Sequence, residues 1–253
     1  MNNADSATIA QEIGLSSVKV VLAGQPNVGK SMLINSMSNA NRAKVGNYSG
    51  VTVETTEICF EHHCHQFDLI DLPGTYSIEG YSQEEKVAKE YLLNEEYDVI
   101  INVVDSTHLQ RNLLLTLELL QLNKKMVIAL NMADEAKEEG ITIDTKQLEK
   151  IIGVPVILVS AKTKEGLDEL LDRVHDLADS NSKPHSNIIY SDAFETEVKS
   201  IQTFLDKKSF SYRDWTNREV AIALLFENKG LYKVLHDDPI IVELYPLMTD
   251  SLK

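Results

Sequence analysis

Gly24-Gln25-Pro26-Asn27-Val28-Gly29-Lys30-Ser31 follows directly on the apolar run Val18-Lys19-Val20-Val21-Leu22-Ala23, and a helical pattern begins at Lys30. The octet has the spacing G-x-x-x-x-G-K-[ST] of a phosphate-binding loop. Its residue types supply the mechanics. Gly24 and Gly29 let the backbone turn with its N–H groups aimed inward at phosphate oxygens. Lys30 reaches the β- and γ-phosphates, and Ser31 offers a hydroxyl to Mg²⁺. A helix starting at Lys30 places its positive N-terminal end beneath the phosphates. The strand before and the helix after set this loop apart from a glycine-bearing turn with an accidental lysine.

Working outward, short β-branched runs at 18–23, 52–60, 66–71, 98–104, 126–131 and 155–159 alternate with helical patterns at 30–39, 83–94, 109–122, 144–152 and 165–179. Leu113, Leu117 and Leu120 keep helical spacing, and Asp144 with Gln147 three residues on marks a capped helix start. The alternation predicts an α/β fold with a mostly parallel six-stranded sheet and helices on both faces. Only a hairpin fits the short gap between 52–60 and 66–71, so one antiparallel edge strand is expected. The polar stretch 179–187, which contains Pro184, reads as a boundary between a domain at 1–182 and a small all-helical domain at 183–253. In the latter, 191–206 and 216–228 read as amphipathic helices, with Trp215 and Phe226 as core.

Two further clusters fall at predicted strand ends, where parallel α/β sheets collect ligands. Asn131-Met132-Ala133-Asp134 closes 126–131, and Ser160-Ala161-Lys162 closes 155–159. Asp134 can accept from both N1–H and the exocyclic amine of guanine, a donor pair that adenine lacks. The Ala161 N–H can donate to guanine O6, and Asn131 can tie the base to the phosphate loop. Taken alone, Asn131–Asp134 would read equally well as a helix N-cap; in order with the phosphate loop it points to GTP. Asp71-Leu72-Pro73-Gly74 closes 66–71, with Asp71 placed to hold Mg²⁺ through water and the Gly74 N–H to sense a γ-phosphate. In Gly50-Val51-Thr52, Thr52 can complete the Mg²⁺ shell.

Bulk properties narrow the class. A net charge of −15 over 253 residues argues against a nucleic-acid partner. Residues 183–253 carry 9 basic and 11 acidic side chains, so −13 of that charge lies in 1–182. Neither 99–104 nor 113–122 approaches the roughly 20 apolar residues a bilayer span needs, no signal peptide is evident, and two cysteines, Cys59 and Cys64, suggest a reducing compartment.

With these residues in order, the chain resembles the translation-factor class of P-loop GTPases, with a Ras-like G domain. Within that class it is similar to the cytoplasmic N-terminal region of the ferrous-iron transport protein B (FeoB) family. The likeness is carried by Gly24–Ser31, Val45-Gly46-Asn47-Tyr48-Ser49-Gly50-Val51-Thr52-Val53-Glu54, Asp71-Leu72-Pro73-Gly74-Thr75-Tyr76-Ser77 and Asn131–Asp134. It covers roughly 18–180; the tail matches by position the family's helical domain. Tyr48 stands where many members have tryptophan. Met132 replaces the lysine of general GTPases, as it often does in this family. The resemblance implies the soluble, cytoplasmic piece of a bacterial inner-membrane protein, with the permease part of the full-length protein as partner, GTP and GDP as ligands, and homo-oligomers as an open expectation.

It also implies slow Mg²⁺-dependent GTP hydrolysis regulating ferrous-iron transport, with Asn27, Lys30, Thr52 and Gly74 as catalytic residues. Thr75 occupies the place of the water-orienting glutamine, and Arg42 is the one arginine near the expected switch loops, 42–52 and 72–83. Related GTPases with asparagine at the place of Asn27 use K⁺ instead of an arginine, so K⁺ is an expected cofactor beside Mg²⁺. The alternatives are a soluble GTPase of ribosome assembly or RNA modification, and a sensing module without turnover. Glu61-His62-His63-Cys64-His65 reads as a polar hairpin tip in which at most two side chains converge, with no matching Cys/His pair elsewhere at metal-ligand spacing; a metal-binding domain is a further alternative that rests on these residues alone. Glu135–Glu139 reads as a solvated helix face.

Overall fold

The computed structural model describes residues 17–38, 43–47, 54–78, 82–180, 192–212, 215–225, 231–232, 235, 239–240, 242–244 and 246. Thr52, with Gly50 and Val51, lies outside these residues, as do Arg42, Tyr48 and Phe226. The chain divides into two compact units, Met1–Asn187 and Ile188–Lys253.

In the first unit the elements run β1 (Ser17–Gly24), α1 (Lys30–Met37), β2 (Ala43–Asn47), β3 (Glu54–His62), β4 (His65–Asp71), α2 (Gln83–Asn94), β5 (Val99–Asp105), α3 (Leu109–Leu120), β6 (Met126–Asn131), α4 (Ala133–Glu138), α5 (Thr145–Ile152), β7 (Val156–Leu158) and α6 (Leu167–Asp179). The sheet order is β2-β3-β4-β1-β5-β6-β7, and β3 is antiparallel to both its neighbours. All six expected strands are present. A seventh, β2, pairs outside β3, so the reversed strand lies one place in from the edge rather than on it. In Ala43-Lys44-Val45-Gly46-Asn47 only Val45 is β-branched; this strand forms because β3 offers an open edge, not because its own residues ask for one.

Alternation along the parallel strands feeds two cores. Val20, Leu22, Leu69, Ile101 and Val103 face α1 and α6, meeting Leu33, Leu170 and Val174. Val21, Ala23, Ile70, Ile100 and Val104 face the other way, meeting Leu92, Leu115, Leu119 and Ile152. Covered on both faces, these strands are continuously apolar, so their carboxyl ends are set on a rigid floor. Caps set the helix starts. Ser82 and Glu85 form a reciprocal capping box on α2, and Asp144 accepts from Gln147 N at 2.9 Å on α5.

Gly166 opens α6 at φ 76°, and a Cβ there would stand 2.1 Å from the Leu158 carbonyl oxygen. Gly166→Ala adds left-handed backbone strain to a clash with backbone that has no side-chain freedom to yield. The variant is expected to lose about 2–4 kcal/mol of stability, seen as a lower urea midpoint by far-UV circular dichroism.

The second unit has its own core. Helices α7 (Asp192–Lys207) and α8 (Asn217–Leu225) bury Val198, Ile201, Leu205, Val220 and Leu224 with Leu231, Leu235 and Leu244. Arg218 holds Glu195 through two bonds of 2.8 and 2.7 Å, and Trp215 packs against this core as expected. Among the described residues no helix is long and apolar enough to cross a membrane.

Candidate functional site

The chain reverses after β1 in a loop held at both ends. A Cβ on Gly24 would stand 2.5 Å from the Val103 carbonyl oxygen. One on Gly29, at φ 85°, would stand 2.4 Å from Asn131 Nδ2. Asn27 is also left-handed, at φ 67°, which asparagine tolerates. The loop closes over Lys30, whose buried Nζ donates to the carbonyls of Gly24 at 3.1 Å and Gln25 at 3.3 Å. Val28 is buried, and the buried Gln25 side chain donates to the Arg111 carbonyl at 2.9 Å. Gln25 thus anchors the loop to α3 through its side chain, a structural task its sequence position did not announce.

Asp71 ends β4 beside α1, where Ser31 Oγ donates to its Oδ2 at 3.2 Å. Its Oδ1 is buried without a hydrogen-bond partner. Burial pushes the Asp71 carboxyl up, opposed by Lys30 and Ser31. Burial likewise pushes the Lys30 ammonium down, opposed by Asp71. At both groups burial is the larger influence and their mutual attraction the smaller. A hydrated Mg²⁺ at Asp71 and Ser31, and phosphate oxygens at Lys30, are groups of the right sign for these two positions. The orphaned Oδ1 and the Ser31 hydroxyl fit such an ion.

Beyond Asp71 the chain lies against the loop. Gly74 has room for no side chain, since a Cβ would stand 2.9 Å from the Pro26 backbone and 3.1 Å from Lys30 Nζ. Thr75 N donates to the Gly24 carbonyl at 3.2 Å. The Thr75 hydroxyl is buried and turned away, donating to the Ser77 carbonyl and reaching Glu85 at 3.4 Å. Glu118 of α3 then takes both Ser77 Oγ (3.0 Å) and Ile78 N (2.5 Å), and the Arg111 guanidinium stacks 5.2 Å from the Tyr76 ring centre. No local pattern marks Glu118 for this role.

The third wall comes from β6 and the chain after β7. Asn131, buried, donates from Nδ2 to the Val28 carbonyl at 2.9 Å and accepts at Oδ1 from Ala161 N at 3.0 Å. One amide therefore joins the phosphate loop to the 160–162 segment. The Ala161 N–H, expected as a donor to guanine O6, here donates to Asn131 instead. Met132 takes φ 61°, and its methyl would touch a Cβ at Gly29, next to the loop. Asp134 faces Lys162, with 3.7 Å between charges, and the hydroxyl of the buried Ser160 holds its carboxyl below the usual range. Asp134 is thus ionised, as a double acceptor must be. Glu135, Lys137 and Glu138 are exposed on α4, the solvated face expected.

A glycine-bearing loop after β1, a buried carboxylate at the end of the adjacent β4 and an aspartate just past β6, two places from β1, have the arrangement of the G domain of a P-loop GTPase. The family model of ferrous iron transport protein B matches residues 18–174. The Fe(2+) transporter FeoB of Campylobacter jejuni is 52% identical over 172 residues, 68% of this chain and 28% of that protein. That of Helicobacter pylori strain J99 is 48% identical over 193 residues, 75% of this chain and 30% of that protein. Among solved structures, the cytosolic domain of the T. maritima FeoB iron transporter in a GDP form is 39% identical with a TM-score of 0.75, covering 87% of this chain and 84% of that one. A GDP-bound mutant of the S. thermophilus FeoB G-domain is 33% identical at a TM-score of 0.79, covering 92% and 88%. The chain belongs to the FeoB family, and spans less than a third of the length of these two curated relatives.

At the hairpin tip two side chains of 61–65 converge, the most its sequence allowed, and they do so on a carboxylate. His62 Nε2 and His63 Nδ1 lie 3.1 and 3.0 Å from the same oxygen of Asp172 on α6. The strand alternation that would separate neighbouring side chains ends at His62, and the carboxylate both imidazoles meet lies on a helix 109 residues from His63. The spacing of Asp168, Asp172, His175 and Asp179, one stripe of α6, is the signal that could have found it.

Proposed function

We propose that the chain binds GTP and hydrolyses it slowly with Mg²⁺, and that this cycle regulates ferrous-iron transport by a larger membrane protein whose permease part is its partner. The observation that carries the reading is Asn131, whose amide ties the phosphate loop to the segment beside the guanine-reading Asp134. Lys30 and the N–H groups of Gly24–Ser31 hold the phosphates, Ser31 and Asp71 hold the metal, and Gly74 stands beside the loop where a γ-phosphate is sensed. Mg²⁺, when bound, neutralises charge on the β- and γ-phosphates. Thr52 as a further metal ligand, and 42–52 and 72–83 as switch loops, extend this reading.

Slow turnover follows from Thr75, whose buried hydroxyl is committed to Ser77 and Glu85 and does not orient water. K⁺ is then a fitting activator, with Asn27 as a ligand. Asn27 is exposed on the loop, and its side chain has no hydrogen-bond partner among the described residues. The test is turnover of GTP and ATP in KCl and in NaCl. GTP should be cleaved several-fold faster in KCl, ATP should be refused, and Asn27→Ala should erase the salt difference while GDP affinity holds. Equal rates in the two salts would remove K⁺ from the mechanism; equal use of ATP would remove guanine specificity.

A further inference from the structure

We propose that the β3–β4 turn and α6 form a binding site for a divalent first-row transition-metal ion, with His62, His63 and Asp172 as its protein ligands. The inference is independent of the nucleotide reading. His62 Nε2, His63 Nδ1 and a carboxylate oxygen of Asp172 all lie within 4.8 Å of one another, and the two nitrogen–oxygen separations are 3.1 and 3.0 Å. A tetrahedral ion with bonds of about 2.0–2.1 Å separates its ligand atoms by roughly 3.3–3.4 Å. Small side-chain shifts therefore close this set on an ion.

Backbone conformation makes the convergence possible. His62 pairs with His65 across a two-residue turn in which His63 (φ 46°) and Cys64 (φ 65°) are both left-handed. This turn form ordinarily carries Asn-Gly, because a Cβ is strained in both positions. Here the strain is retained, and it brings two neighbouring imidazoles, with ring centres 4.0 Å apart, onto one carboxylate oxygen. Strain of this kind persists where the surroundings use it.

The helix side is built to match. Asp168, one turn before Asp172, stands 4.0 Å from Nδ1 of His62, the nitrogen that would not bind metal. A carboxylate moved a further ångström toward that nitrogen would accept its N–H, the outer contact that sets the tautomer of a ligating histidine. His62 is the least exposed of the three, with 13% of its side chain exposed, whereas His63 and Asp172 are 67% and 55% exposed. Three protein ligands on the surface leave the remaining position to water. Two imidazoles with one carboxylate select Zn²⁺, Ni²⁺, Co²⁺ or Fe²⁺ over Mg²⁺ and Ca²⁺, which prefer all-oxygen sets. An ion here would pin the tip of the hairpin, whose strand β4 ends at Asp71, onto α6.

The test is a Co²⁺ titration of the whole chain, saturated with GDP and Mg²⁺, followed by visible ligand-field absorption, with Zn²⁺ as competitor in calorimetry. One ion per chain is expected, displaced by Zn²⁺. Affinity should fall at least about tenfold in His63→Ala and in Asp172→Asn, and by less in Asp168→Asn. Zn²⁺ should raise the melting temperature of the parent chain and not of Asp172→Asn. Because His63 and Asp172 are surface residues, both variants keep the fold, and their GDP affinity should match the parent's. Unchanged Co²⁺ affinity in both variants would overturn the site. So would a loss confined to His65→Ala or His175→Ala, a neighbouring ring pair whose centres lie 3.6 Å apart.

Discussion

Asp134→Asn is expected to reverse the base preference of the site, lowering affinity for GTP by at least about a hundredfold while raising affinity for xanthosine triphosphate. In the proposed reading guanine presents two donors to this carboxylate, N1–H and the 2-amino group. Asparagine can accept one of them and sets its own N–H₂ against the other, leaving a lost bond and an opposed donor pair. A polar mismatch of that kind costs on the order of 3 kcal/mol or more, a factor of roughly a hundred or above. Xanthine carries an oxygen in place of the amine, so the same amide meets it correctly. Ser160 and Lys162 hold the position from either side, so the side chain is expected to stay in place. The measurement is a competition of both triphosphates against a fluorescent nucleotide. An unaltered ratio of affinities would mean that Asp134 does not read the base.

Lys30→Met should weaken GTP binding by roughly 30-fold to a few thousand-fold, the range for removing one partner of a buried charge contact. Methionine keeps the length and apolar stem but deletes the ammonium, so the carbonyls of Gly24 and Gln25 lose their donor. Asp71 would then be left buried with only Ser31 to satisfy it. If Lys30 is the phosphate ligand proposed, the loss should be larger for GTP than for GDP, because a contact to the γ-phosphate goes with it. An equal loss for both nucleotides would mark Lys30 as a strut of the loop rather than a phosphate ligand. Titrations with the two nucleotides separate these outcomes.

What was legible in the chain, and what was not, follows from range. The phosphate loop, Asp71–Gly74, Asn131–Asp134 and Ser160–Lys162 are local patterns whose chemistry restricts the residue types. Each could be placed because it ends a strand with a clear apolar signature. Asp144 was equally readable, since a cap is settled within four residues. Strand β2 was not, because its pairing is supplied by β3 and its own side chains are nearly neutral on the matter. The turned-away Thr75 hydroxyl depends on Glu85, ten residues on. The hairpin histidines find Asp172 only because α6 returns over the sheet. The capture of the Ala161 N–H by Asn131 joins two strand ends 30 residues apart, which spacing alone does not reveal.

Glu118 spends both carboxylate oxygens on Ser77 and Ile78, and so moors the chain a few residues beyond Gly74. Any displacement that begins at Gly74 must be absorbed within Thr75 and Tyr76, or else cast off Glu118 itself. The chain after Asp71 therefore behaves as a short lever with its fulcrum on α3, not as a free flap. Its throw is set by how firmly one glutamate holds on.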